Sequence, residues 1–168
     1  MDATTGRSVA DAAVMKTAMA AGPDGNNGLP RKIFQDDFRH GKGNALQAAV
    51  ASIFGLELID VPNFVELPEG YEIAIERFCR DRSHACFKIK INDDCKVDDK
   101  HDGRLCLLRG KSPRGDFGHV VVARRKKVNN ETVLNGGEFE MVHDPHPDET
   151  FLDEGEPFGW CMFLVPVC

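Results

Sequence analysis

The spacing of apolar positions changes its period once along the chain. The first half carries helical spacing. Residues 8–21 (SVADAAVMKTAMAA) are rich in Ala and Met, with Ser8 placed to cap them and Gly22-Pro23 to end them, which predicts a helix. The stretch GPDGNNGLP at 22–30 predicts a flexible loop, and residues 31–43 show no period. From Asn44 to Phe54, Leu46, Val50, Ile53 and Phe54 recur at the spacing of one buried helix face. Asn44 suits the N-cap of this helix and Gly55 its C-terminal stop. Ala45, Ala48, Ala49 and Ser52 are small enough for another backbone to approach closely. ELIDVPNFVEL predicts a short second helix or turn, and residues 69–82 predict a third helix with Ile73, Ile75, Phe78 and Cys79 inward.

The pattern then alternates, as strands do. Strands are predicted at 85–91, 105–110, 119–128, 138–145 and 159–167, with an acidic loop at 92–103 and a hairpin connection at 129–137. Helices followed by antiparallel strands predict an α+β fold.

Composition narrows the function classes. A chain of 168 residues with 42% hydrophobic positions can bury one core without disulfide staples. The net charge of −6 opposes general nucleic-acid binding, which needs a basic face. No apolar run approaches the roughly 18–20 residues of a membrane span. Neither a nucleic-acid nor a membrane partner is therefore expected.

Six cysteines invite a disulfide reading, but their density is below that of a disulfide scaffold and no CxxC pair occurs. Asp2 and Asp11 interrupt what would have to be the apolar stretch of a secretory signal. These features predict reduced thiols, some buried, in an intracellular and reducing compartment: the cytoplasm or an organelle.

Three places combine polar residues with a setting for chemistry: the start of the 44–54 helix, His119 at the head of a β-branched strand, and Asp144 at the end of the next strand. A histidine and a carboxylate on neighbouring strands form a general base with its orienting group. A helix N-terminus, through its dipole and free N–H groups, is where a thiol nucleophile would be activated.

Phe34-Gln35 through GKGNALQAAVASIFGLELIDVPNF, followed by GHVVVA, VHDPHP and an aromatic-rich final strand, resembles papain-like cysteine hydrolases, above all the small bacteriocin-peptidase-like and NlpC-like proteins. Those proteins carry a Gln, then a Gly-(Asp/Asn)-Cys segment opening an alanine-rich helix, then a His, then an Asp or Asn. The resemblance covers roughly residues 33–66 and 117–167 and omits the N-terminal helix and the acidic loop. It implies a single papain-like domain over 31–168, with helix 44–54 packed on the sheet; the N-terminal helix and flexible loop at 1–30 are expected from the residues alone. It also implies roles: Gln35 as oxyanion donor, His119 as base and Asp144 as its orienter. Asn44, Phe34, Phe117 and Trp160 are candidates for substrate binding.

The sequence departs from that pattern at residue 45, where the family has Cys and this chain has Ala45. The expected activity is thiol-dependent hydrolysis or acyl transfer on an amide, thioester or ester. The substrate would be a small molecule or peptide with a carbonyl electrophile, and no cofactor would be needed. With Ala45 the chain lacks the nucleophile for it. Two origins are open: a substitution introduced to inactivate the enzyme, or a natural pseudoenzyme whose cleft binds a ligand. Specialised non-hydrolytic chemistry on the same fold is a further alternative.

Plainer roles stand beside these. His119 could be a satisfied core histidine, Asp144 the opener of the HDPHP turn, Gln35 a loop residue and Asn44 only a helix cap. His143 and His146 have a metal-like spacing, but Pro145 and Pro147 fix an extended turn and no cysteine lies nearby, so no metal is expected. The acidic loop lacks the calcium-loop order. Arg124, Arg125, Lys126 and Lys127 read as a solvated strand end, or else a patch for an anionic partner. Cys161 reads as core; Cys79 and Cys86 are the other thiols to consider, but neither opens a helix.

Overall fold

A computed structural model describes residues 28–91, 97–126 and 138–167. The helix expected at 8–21, the hairpin at 129–137, Lys127, Cys95 and Cys168 lie outside the described residues. Helix α1 spans Ala45–Phe54 and α2 spans Tyr71–Arg80. Five strands follow: β1 His84–Lys90, β2 Leu105–Lys111, β3 Gly118–Arg125, β4 Phe139–His143 and β5 Trp160–Pro166. The ELIDVPNFVEL segment resolves into two single 3₁₀ turns, Leu58–Asp60 and Phe64–Glu66. The fold is α+β, and none of its described helices is by itself long and apolar enough to cross a membrane.

The sheet has the order β1-β5-β2-β3-β4, and every pairing is antiparallel. The last strand enters between the first two. Composition explains why: Trp160, Cys161, Met162, Phe163 and Leu164 are all buried, so this strand needs cover on both faces. Strand β1, with exposed Phe87 and Lys88, takes an edge instead. Alternation splits β2 between two cores. Leu107 joins Leu46, Val50, Phe64 and Ile75 under the helices. Cys106 and Leu108 face the other side with Val121, Phe139, Phe158 and Phe163.

Helix α1 is buried more widely than one face. Leu46, Ala48, Ala49, Val50, Ala51 and Ser52 are all buried, whereas Ile53 and Phe54, expected inward, are only partly covered. The alanines let β3 pack closely on the helix. Ser52 Oγ accepts from Ile33 N–H at 3.1 Å, which ties the preceding loop to the helix. Gly55 closes the helix in the left-handed region at φ 67°.

Two expectations need correction here. Ile73 is 59% exposed on α2, and Ala74 takes its place beside Ile75, Phe78 and Cys79. Positions 73 and 75 are about 200° apart on a helix, so both cannot face one core. Strand β3 ends at Arg125, and Arg125 is buried rather than solvated. Its guanidinium donates to Lys126 O at 2.8 Å and Val97 O at 3.2 Å, so backbone carbonyls take the place of water. The thiols of Cys79, Cys86 and Cys106 are free.

Candidate functional site

The loop before α1 is built onto the helix start by one amide. Asn44 Oδ1 accepts from the N–H groups of Asp36 and Asp37 at 3.2 and 2.9 Å. Its Nδ2 donates to Asp36 Oδ1 at 2.8 Å and Gln47 Oε1 at 3.1 Å. Asn44 occupies the N-cap position, but its side chain makes no cap hydrogen bond, because the amide is committed to the loop. The side chain therefore does not cap the helix as expected, and Asn44 is not among the residues lining the cleft described below. The same loop is tied to the turn after β4: Gln35 N–H donates to Pro145 O at 2.9 Å, and His143 Nε2–H to Ile33 O at 2.8 Å. Residues 33–37, the start of α1 and the HDPHP turn are thus joined into one corner by hydrogen bonds.

His119 and Asp144 meet at that corner. Strands β3 and β4 pair, and His119 Nε2–H donates to Asp144 Oδ1 at 2.6 Å. Both side chains are buried, Asp144 completely. Oδ1 also accepts His146 N–H at 2.9 Å, while Oδ2 takes Phe151 N–H at 2.7 Å and Arg114 Nη1 at 3.2 Å. Burial alone would raise the pKa of this carboxyl. The His119 bond and the two backbone N–H groups outweigh burial and hold it at about 2. Asp144 is therefore ionised at neutral pH and fixes His119 with Nε2 protonated, which leaves Nδ1 as the ring nitrogen able to take a proton.

Phe151 reaches Asp144 from a left-handed backbone at φ 61°, which costs about 1–3 kcal/mol for a non-glycine residue. Arg114 is held in turn by Asp148 at 2.8 Å and by the Thr150 hydroxyl.

A cleft of about 530 Å³ opens in front of this pair. Of the residues expected from sequence, Gln35, Ala45, Phe117, His119 and Trp160 line it. Asp144 lies behind His119, hydrogen-bonded to it. Phe34 is not part of the wall; it packs edge-on against His143 at 5.3 Å. Gln35 is 8% exposed; its Nε2 donates to Asp37 O at 3.0 Å, and its Oε1 has no hydrogen-bond partner. No serine, threonine or cysteine is among the described lining residues.

The structure adds residues to which sequence reasoning assigned no place in a cleft. Tyr71 stacks on Trp160 at 5.9 Å, and Arg109, Arg114, His40 and His146 also border the cleft. None carries a local signal, since they come from four separated segments. His146 Nδ1 pairs with Asp148 at 2.7 Å, and His143 is spent on Ile33, so the two histidines serve different partners. Among the described residues no cluster of three potential metal ligands occurs.

Comparison of the chain with models of known families, with curated proteins and with solved structures finds no match.

Proposed function

We propose that the cleft is the substrate site of a papain-like thiol hydrolase or acyl-transfer scaffold whose nucleophile position holds Ala45. The observation that carries this reading is the buried His119–Asp144 pair beside a cleft that also contains the first residue of α1. With a cysteine at residue 45, His119 Nδ1 accepts the thiol proton. The thiolate adds to the carbonyl carbon of an amide, thioester or ester. The oxyanion is met by the residue-45 N–H at the helix start and by the second amide N–H of Gln35. The leaving group departs with the proton from His119, and water or another acceptor then takes the acyl group from sulfur. With Ala45 the chain binds such a carbonyl compound and does not turn it over.

The absence of any serine, threonine or cysteine from the described wall supports a second reading, a ligand-binding module that uses the same cleft without covalent chemistry.

Ala45→Cys followed by brief iodoacetamide treatment at about pH 6 separates the two. A free thiol titrates near about 8.5 and is almost wholly protonated there. Mass spectrometry is expected to find residue 45 alkylated well before the six native cysteines. Labelling no faster than theirs would reject the thiol chemistry and leave the binding module.

A further inference from the structure

The cleft wall contains an arginine that nothing in the fold uses. Arg109 lies on β2, in register with Val120 on β3 and Trp160 on β5, so the three side chains share one face of the sheet. All three line the cleft. Arg39 and Arg114, the other two arginines at the wall, are already neutralised: Arg39 by Asp37 and Glu66, Arg114 by Asp144 and Asp148. Its backbone carbonyl accepts from Gly159 N–H at 2.8 Å, but its guanidinium makes no hydrogen bond or ion pair with any described residue.

Arg109 is an exposed residue whose guanidinium rests against two glycines. The guanidinium lies against the backbone of Gly118, where a Cβ would sit 2.5 Å from Cζ and closer still to Nη2. On its other side a Cβ at Gly159 would stand 3.4 Å from Nη1. Two glycines thus leave a notch that the guanidinium fills. No carboxylate borders this cleft among the described residues, in a chain whose net charge is −6; Asp116 and Lys111 line an adjoining pocket with Arg109. The rest of the wall offers apolar surface from Phe38, Leu46, Val65 and Phe117.

We infer that Arg109 is the anchor for an anionic group, a carboxylate or phosphate, on a ligand whose remaining surface is apolar or aromatic. A planar fork of N–H donors matches both anions. This names the ligand class of the cleft and rests on its being the substrate site.

Trp160, the single tryptophan, stands in the wall and reports binding by its fluorescence. The chain as it stands, with Ala45, is titrated with phenylacetate, phenyl phosphate and neutral phenylacetamide. A hydrogen bond to a charged group contributes about 1.5–3 kcal/mol, so the anions should bind roughly ten- to a hundredfold more tightly than the amide. The tighter of the two anions identifies the source of the charge. Arg109→Gln should erase the preference while keeping the melting temperature, and Arg109→Lys should retain part of it. Equal binding of anion and amide, a preference unchanged in Arg109→Gln, or no response to any probe would overturn the assignment. The titration needs no thiol, so its failure is distinct from failure of the residue-45 labelling. Fast labelling without an anion preference rejects only the role of Arg109. Slow labelling with the preference intact rejects only the thiol chemistry.

Discussion

His119 Nε2 stands 2.6 Å from Asp144 Oδ1, and that carboxylate receives three further donors with no exposure to solvent. Removing it strands all of them. Asp144→Ala should cost about 3–5 kcal/mol, the usual penalty for breaking a buried pair. His119→Ala leaves the carboxylate with its other partners and should cost roughly 1–3 kcal/mol. Urea unfolding of the two variants checks the ranking; a loss in Asp144→Ala smaller than in His119→Ala would contradict it.

The same burial predicts an acid profile in two steps. Burial pushes the His143 imidazole down, offset only in part by its bond to Ile33 O, and burial likewise lowers His101. An unfolded histidine takes up its proton near about pH 6.5, before the folded one does, so stability begins to fall as the pH drops through that value. Asp144 acts lower. Its carboxyl titrates at about 2 in the fold, so its contribution is complete above the unfolded value of about 3.9 and is lost as pH falls toward 2. Urea midpoints measured from pH 7.5 to 3 should show both declines. His143→Gln keeps an N–H for Ile33 O and should shrink the upper step alone. A flat profile between pH 7.5 and 5 would count against the buried neutral histidines.

Gly118 and Gly43 both border the cleft, yet alanine should act differently at each. At Gly118 the new Cβ meets the far end of the flexible Arg109 side chain. Gly118→Ala should therefore change stability by less than about 1 kcal/mol and still displace the guanidinium, abolishing any preference for anions. At Gly43 the Cβ meets backbone, Asp37 O at 2.9 Å and Arg39 O at 3.1 Å, which cannot swing aside. Gly43→Ala should be the more destabilising of the two. Thermal melts rank them, and equal losses would show that Arg109 is not free to move.

Part of this arrangement is legible in the chain alone. The change of period near residue 84 separates α1 and α2 from the strands, because helix and strand put their apolar positions at different spacings. His119 on β3 and Asp144, the residue after β4, meet because these two strands, consecutive in the chain, pair with each other. The alanines of α1 mark a helix that other backbone approaches closely.

The rest depends on which distant segments share a face, and no local spacing records that. Arg125 reads as one charge in a basic run, yet carbonyls from Val97 and Lys126 enclose it. Ile73 looks apolar and inward, but the helix packs on β1 with Ala74 and Ile75 buried and Ile73 exposed. Asn44 has the chemistry of a cap, but the loop folded over it offers its amide better-placed partners. β5 enters between β1 and β2, and that long-range pairing brings Trp160 beside Arg109 and Tyr71. Periodicity determines what each segment is. The partners of each polar group are decided only when the whole chain closes, because burial and hydrogen bonding depend on groups far apart in sequence.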